Sequence, residues 1–440
     1  MTRHRITNAR IVNEGGIHEG DVLIENGRIE AIGSVPATEA TVTDANGAWL
    51  IPGMIDDQVH FREPGFEHKG TIETESRAAI AGGITSYMEM PNCNPLTINQ
   101  PALTNKHRRA DAVSAANYAF YLGATNDNLE DIKSVDAATT CGIKVFMGAS
   151  TGNMLVDNED TLEAIFASTP LLIATHCEDT PTILANERKA RDRYGEHIPF
   201  EEHPNIRSVE ACYKSSSLAV ELAQRHGSKL HILHLTTEKE LALFTTGDVA
   251  DKRITAEACV HHLFFDATWY PDKGADIKCN PAIKQPSDRE ALVRAVREDR
   301  IDVIATDHAP HTAEEKAQLY DSAPAGLPLV QHALISLFEH ARNGVFTLEQ
   351  VVHKTSHAPA QLYGVTERGF IREGYFADLV LVEERVTRGE DNILSKCGWS
   401  PFAGIEFQHA VRATWVNGIL AYDQGDIVPG AHGQALQFER

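Results

Sequence analysis

Residues 54–90 read MIDDQVHFREPGFEHKGTIETESRAAIAGGITSYMEM. The stretch opens on an apolar strand candidate, MIDDQVH (54–60). It passes through a loop into the helix-like ETESRAAIAGG and ends on a second strand candidate, ITSYMEM (84–90). Two short apolar runs joined by a helical crossover describe a βαβ unit with parallel strands. The same alternation continues through YAFYLGA (118–124), IKVFMGA (143–149), LLIATH (171–176), LHILHL (230–235), ITAEACV (254–260) and DVIATD (302–307). Helix-like stretches such as SSSLAVELAQRHG and SDREALVRAVRED lie between them. Eight such strands alternating with helices predict a (β/α)8 barrel. An open doubly wound sheet is the competitor, but no Gly-rich dinucleotide fingerprint follows the first strand.

The two ends differ from this middle. ITNARIV and DVLIENGRIEAIG, with an Asn-Gly turn at Asn26-Gly27, read as hairpin-forming strands. YFADLVLVEE and AVRATWVNGILAYDQG, with Asn417-Gly418, repeat that character near the C-terminus. The expected α/β architecture is a TIM barrel over residues 53–365. Residues 1–52 and 366–440 together form a small β-sandwich domain.

The 440-residue chain carries a formal net charge of -22, which argues against nucleic acid and anionic membrane surfaces as partners. An anionic small molecule would need a local positive pocket. No apolar run is long enough to span a bilayer. The start, MTRHRITNARIV, lacks the apolar core of a secretory signal, so the expected compartment is the cytoplasm. Seven scattered cysteines without a CxxC pair point away from structural zinc and from a disulfide framework.

In barrels of this kind chemistry gathers at the C-terminal ends of the strands. His60 ends the first, Asn92 follows the second, Lys144 lies in the fourth, His176 ends the fifth, His234 sits late in the sixth and Asp307 ends the eighth. Imidazoles and carboxylates suit a divalent metal such as zinc with a position left open for water. An ammonium cannot bind a metal. Lys144 belongs in such a set if CO₂ has added to its amine, because the carbamate has two oxygens that can bridge two metals. Asp56, Gln58 and His60 share a strand face. A metal site there would use two histidines at that spacing, and Gln58 stands where the first would be.

Seven runs give these residues a family. HFREPGFEHKG (60–70), MPNCNP (90–95), GIKVFMG (142–148), THCED (175–179), ILHLTT (232–237), KCNP (278–281) and ATDHAPH (305–311) resemble the cyclic amidohydrolases, and among them the dihydroorotases. The resemblance implies reversible, zinc-dependent ring closure of N-carbamoyl-L-aspartate to L-dihydroorotate in de novo pyrimidine biosynthesis. It implies a carboxylated Lys144 bridging two zinc ions, with His176 and His234 on one and His60 and Asp307 on the other. Gln58 would be a weak or absent ligand of that second ion, so one tight and one loose zinc are expected. Asp307 would also be the catalytic proton carrier. Arg62, helped by Asn92 and His311, would grip the substrate carboxylate, Asn280 would contact the ring, and backbone atoms of Ala325 and Gly326 would meet its amides. Two other readings stand beside this one: a metal-depleted, inactive scaffold that binds a pathway enzyme, and an amidase of another cyclic amide such as a hydantoin. A homodimer is the usual expectation for this kind of barrel.

The remaining polar candidates take structural readings. Asp56 would orient the strand end rather than replace a ligand. His261 and His262 would pack near the site, and His231 would be structural. Lys69 would be a solvated charge on the first loop, and His197 and His203 would be exposed on a Pro-rich loop. Ser150-Thr151-Gly152 would form a flap over the site.

Overall fold

The computed structural model describes residues 3–35, 39–148, 154–169 and 171–440. The proposed flap at residues 150–152 lies outside these. The first fifty residues form β1 (Arg3–Asn13), β2 (Gly16–Glu25), β3 (Arg28–Gly33), β4 (Thr41–Asp44) and β5 (Trp49–Pro52). The chain then enters the barrel directly through β6 (Met54–Val59). It continues through β7 (Ile84–Glu89), β8 (Asn117–Gly123), β9 (Thr140–Phe146), β10 (Ile173–His176), β11 (Leu230–Ile232), β12 (Ile254–Cys259) and β13 (Val303–Ala305). It returns to the first sheet as β14 (Leu379–Arg388), β15 (Glu406–Val416), β16 (Ile419–Asp423) and β17 (Asp426–Ile427).

The eight barrel strands run parallel in sequence order, and nearly every one of their residues is buried. Strands covered on both faces need apolar residues throughout, which is why they read as continuous runs rather than alternations. Helices cover the outside. The first, Ile72–Ala81, starts at a capping box in which the Thr71 hydroxyl accepts from Thr74 N and the Thr74 hydroxyl accepts from Thr71 N.

Closure between β13 and β6 depends on side chains as well as a ladder. His60 N donates to His308 O at 2.7 Å, and Val59 bridges His308. Asp56, fully buried, accepts from Thr306 N at 3.1 Å, from the Thr306 hydroxyl at 2.6 Å and from Gln58 N at 3.3 Å. Both carboxyl oxygens are thus engaged in joining the last strand to the first.

The terminal strands form one nine-stranded mixed sheet in the order β17-β16-β15-β14-β5-β1-β2-β3, with β4 beside β1. Residues from both halves, among them Ile6, Ile24, Leu50, Leu379 and Trp415, meet in one apolar cluster, so the sheet encloses its own core in the manner of a sandwich. The two Asn-Gly turns have positive φ at both residues, as a two-residue hairpin turn requires. They also stack on each other: a Cβ on Gly418 would lie 2.5 Å from Gly27 Cα, so glycine is needed for contact as well as for conformation.

Two stretches of the C-terminal region lie against the barrel. Ser395 and Lys396 bond Glu75 on the first helix, and Trp399 Nε1 donates to His311 O at 2.7 Å. Gly433 and Leu436 bond Ser114 and Tyr118 beside the start of β8, and Leu436 and Phe438 pack with Tyr121 and Tyr363. The N-terminal ends of the strands are thereby plugged, leaving the C-terminal ends for a site.

Asp56→Ala would leave buried donors on Thr306 and Gln58 without an acceptor, with an expected loss of about 3 kcal/mol at roughly 1–3 kcal/mol for each unpaired buried group. Urea unfolding measures it; a loss below about 1 kcal/mol would show that closure does not depend on this carboxyl.

Candidate active site at the strand C-termini

Gln58, His60, Arg62, Asn92, Lys144, His176, His234, Asn280, Asp307, His311, Ala325 and Gly326 all line one cavity of about 200 Å³, completed by Phe146 and Ala309. Pockets for drug-sized ligands run from about 300 Å³ upward, so this one suits a single small ring. Arg62, His234 and Asp307 hold φ values of 73°, 41° and 52°. Positive φ is strained for residues with a Cβ and persists where the surroundings enforce it.

On one side of the cavity, His176 Nδ1 and His234 Nε2 stand 3.0 Å apart. His176 Nε2 donates to Glu178 Oε2 at 2.9 Å, which leaves Nδ1 with its lone pair toward His234. Burial holds both imidazoles below their usual range. Burial would raise the Glu178 carboxyl, yet Arg207, 2.5 Å away, and His176 bring it down to about 2. A glutamate two residues after a histidine, in THCED, was the available signal for this orienting carboxylate. The loop after β9 needs Gly148 here, since a Cβ there would collide with Glu178 O at 1.5 Å.

Lys144 is buried between these groups with no carboxylate partner among the described residues, its Nζ 4.7 Å from the Phe146 ring centre. Burial brings its amine down to about 8. Opposite, His60 lies between Asn92 Oδ1 at 2.7 Å and Asp307 Oδ1 at 3.1 Å. Gln58 Nε2 donates to the same Asp307 oxygen at 3.1 Å, and its Oε1 faces Cys259 Sγ at 3.9 Å.

The third side is cationic. Arg62 donates from Nε to Pro310 O at 3.0 Å, its terminal nitrogen stands 3.0 Å from His311 Nε2, and no described carboxylate pairs with it. Ala325 O lies 3.1 Å from His311 Nε2. Gly326, at φ 144°, could not carry a Cβ, which would meet Ala309 O at 2.5 Å. Asn280 Oδ1 is buried without a hydrogen-bond partner among the described residues.

The sequence profile of the amidohydrolase family matches residues 49–420. The chain belongs to the amidohydrolase family. The dihydroorotase of Halobacterium salinarum is 34% identical over 439 residues, covering 97% of this chain and all of that protein. The dihydroorotase of Bacillus subtilis is 31% identical over 438 residues, 96% of this chain and 99% of its own length. The allantoinase of Bacillus velezensis is 29% identical over 441 residues, covering 98% and 97%. An L-hydantoinase from Arthrobacter aurescens superposes with a TM-score of 0.93 over 99% of this chain and 100% of that one, at 24% identity, which speaks to the fold alone. This amidohydrolase is an enzyme acting on a cyclic amide.

The donor set of this amidohydrolase fits a metal. Two neutral imidazoles with nitrogens 3.0 Å apart approach the roughly 3.3 Å that two ligands of a tetrahedral zinc keep at bond lengths of about 2.0–2.1 Å. His176 carries the carboxylate partner typical of a ligating histidine. Two further clusters of metal-binding residue types occur among the described residues, Cys259-His261-His262 and Asp57-His231-Glu257. Neither lines the cavity. In the second, burial would depress His231, but Asp57 and Glu257 hold it up at about 9, so it is an imidazolium in an ion pair rather than a ligand.

Asp56 orients the strand end as expected, its oxygens committed to barrel closure. Two other sequence expectations need correction. His203 is buried rather than exposed: it meets the Tyr320 hydroxyl and Cys279 O, each at 2.7 Å, and so braces the strand of chain that carries Asn280. Lys69 is not a free surface charge, being bonded to His311 at 3.0 Å and paired with Glu315. His197 is exposed as expected.

The raised His231 gives a pH dependence. A group whose folded pKa exceeds its unfolded value contributes fully below the latter and loses that contribution as pH rises through the former. Stability should therefore decline from about pH 6.5 toward pH 9 through this residue. Urea unfolding at several pH values should show a flatter limb in His231→Asn; parallel curves for the two proteins would refute the ion pair.

Proposed function

We propose that this amidohydrolase is a dihydroorotase, interconverting L-dihydroorotate and N-carbamoyl-L-aspartate. The observation that carries this reading is Arg62. A guanidinium lining a small cavity without a carboxylate partner among the described residues, in a chain of net charge -22, needs an anion from the substrate. Dihydroorotate offers a ring carboxylate, whereas a hydantoin or dihydrouracil ring lacks one. The unpartnered Asn280 Oδ1 suits a ring N–H.

His176, His234 and a carboxylated Lys144 would hold one zinc ion; His60 and Asp307 would hold a second more weakly, since Gln58 offers an amide in place of an imidazole. Zinc bound there would supply a Lewis acid that polarises the amide carbonyl and lowers the pKa of water. The lowered Lys144 amine favours carboxylation, because CO₂ adds to the neutral form. Arg62 and His311 fix the substrate by its carboxylate and so orient the ring amide toward Asp307. Asp307 accepts a proton from the attacking water and delivers it to the ring nitrogen as the C–N bond breaks. Hydrolysis creates a second carboxylate and releases a proton, so acid favours the ring and base the open chain.

The test is turnover of dihydroorotate, dihydrouracil and hydantoin by protein titrated with zinc in bicarbonate buffer. The expected result is about one tightly held zinc, activity on dihydroorotate that rises as more is added, and loss of activity on chelation. Arg62→Ala should raise KM for dihydroorotate by about 30-fold or more, from loss of at least ~2 kcal/mol of charged contact. Preference for an uncharged ring would establish an amidase of another cyclic amide. A folded protein without zinc or turnover would establish the scaffold reading.

A further inference from the structure

The loop that carries Arg62 also carries Lys69. Two turns shape it, Phe66 N to Arg62 O at 3.0 Å and Lys69 N to Phe66 O at 2.9 Å. They fold the Lys69 side chain back, so that it is 15% exposed and its Nζ lies 3.0 Å from both His311 Nδ1 and Glu315 Oε1. His311 Nε2, the other ring nitrogen, lies 3.0 Å from an Arg62 amino group and 3.1 Å from Ala325 O.

Hydrogen accounting decides what this means. Ammonium and guanidinium groups only donate, a carbonyl only accepts, and a neutral imidazole has one N–H and one lone pair. With the lone pair on Nδ1, Lys69 has its acceptor and the Nε2–H points to Ala325 O. With the proton on Nδ1, the Arg62 amino group would gain Nε2 as its acceptor, but the Lys69 ammonium and the Nδ1–H would oppose each other at 3.0 Å and Ala325 O would lose its donor, so one contact is met instead of two. The acceptor beside Nδ1, Glu315 Oε2, stands 3.6 Å away and already accepts from Thr312 N. Burial, together with the Arg62 and Lys69 charges, keeps the ring neutral. The Nε2–H and the Arg62 amino group, 3.0 Å apart at the cavity wall, are then the one pair of opposed donors this tautomer leaves, and an anionic oxygen accepting from both would relieve it.

We propose that Lys69 is a positioning residue that fixes His311 as the Nε2–H tautomer and so completes, with Arg62, a two-donor seat selective for a substrate carboxylate. The kinetic side of this inference rests on the dihydroorotase reading; the tautomer does not. Lys69 touches no reacting atom and acts through His311.

The experiment uses zinc-loaded, full-length protein labelled with ¹⁵N-histidine, with His311 assigned by the signal lost in His311→Gln. Long-range ¹H–¹⁵N spectra should give the Nε2–H tautomer in the wild type and a shift toward Nδ1–H in Lys69→Met, while Lys69→Arg, which restores a donor, keeps the wild-type pattern. KM for dihydroorotate should rise about tenfold in Lys69→Met with kcat within about twofold, as for loss of a contact made equally in ground and transition states. An Nδ1–H tautomer in the wild type, or an unchanged tautomer and KM in Lys69→Met, overturns the proposal. If the wild type does not turn over dihydroorotate, the dihydroorotase reading fails, and the tautomers of the wild type and Lys69→Met still decide the role of Lys69.

Discussion

Three carboxylates buried inside the barrel hold the backbone at the strand ends where the site is built. Glu89 Oε1 accepts from Phe61 N at 3.1 Å, Glu257 Oε1 from His234 N at 2.9 Å, and Asp56 Oδ1 from Thr306 N at 3.1 Å. Each bonded amide belongs to, or immediately precedes, a residue with positive φ: Arg62, His234 and Asp307. Those conformations turn the three side chains out of the strand direction and into the cavity, and the carboxylates over-determine them. Each carboxylate is in turn secured, Glu89 by Lys106 at 2.6 Å, Glu257 through the ion pair with His231, and Asp56 by the Thr306 hydroxyl. An isolated carboxylate could not remain buried there.

The same economy of charge shapes the substrate side. Lys316 bonds the carbonyls of Lys278, Pro324 and Gly326, and Lys278 bonds those of Tyr320 and Ala323. Burial brings these amines down to about 7 and about 8 respectively. Their partners are carbonyls rather than carboxylates, and the contacts pin the loop that presents Ala325 and Gly326. An acidic protein thus holds a basic corner without a basic surface.

The barrel was legible because strands buried on both faces must be apolar throughout, so all eight announce themselves in sequence. The two Asn-Gly turns were legible because positive φ at consecutive positions restricts the residue choice. The residues lining the cavity could be named because they sit at strand ends within recognisable runs. Their supports were less visible. Glu178 depends on Arg207, His203 on Tyr320, and Lys69 on His311, pairs separated by 29, 117 and 242 positions. No local pattern encodes such a pair, and an isolated lysine or histidine in a polar loop reads as solvated until the loop's path is known. The course of residues 395–399 and 432–440 over the barrel likewise follows from tertiary packing rather than from propensity.

Gln58 gives the site its asymmetry. On the His176 side, one imidazole is fixed by a carboxylate and its free nitrogen stands 3.0 Å from the other imidazole, a set that fits a metal. On the Asp307 side, the Gln58 amide and the His60 ring both reach the same carboxylate oxygen, each at 3.1 Å. On the dihydroorotase reading, a histidine in place of Gln58 would add an imidazole to His60 and Asp307 as a holder of the second ion. The glutamine instead directs an N–H at Asp307, and a carboxylate held by a neutral amide donor stays available as a proton acceptor. On the dihydroorotase reading, the substitution therefore separates two duties that Asp307 would otherwise combine, weakening its part as a ligand while leaving its part as a base.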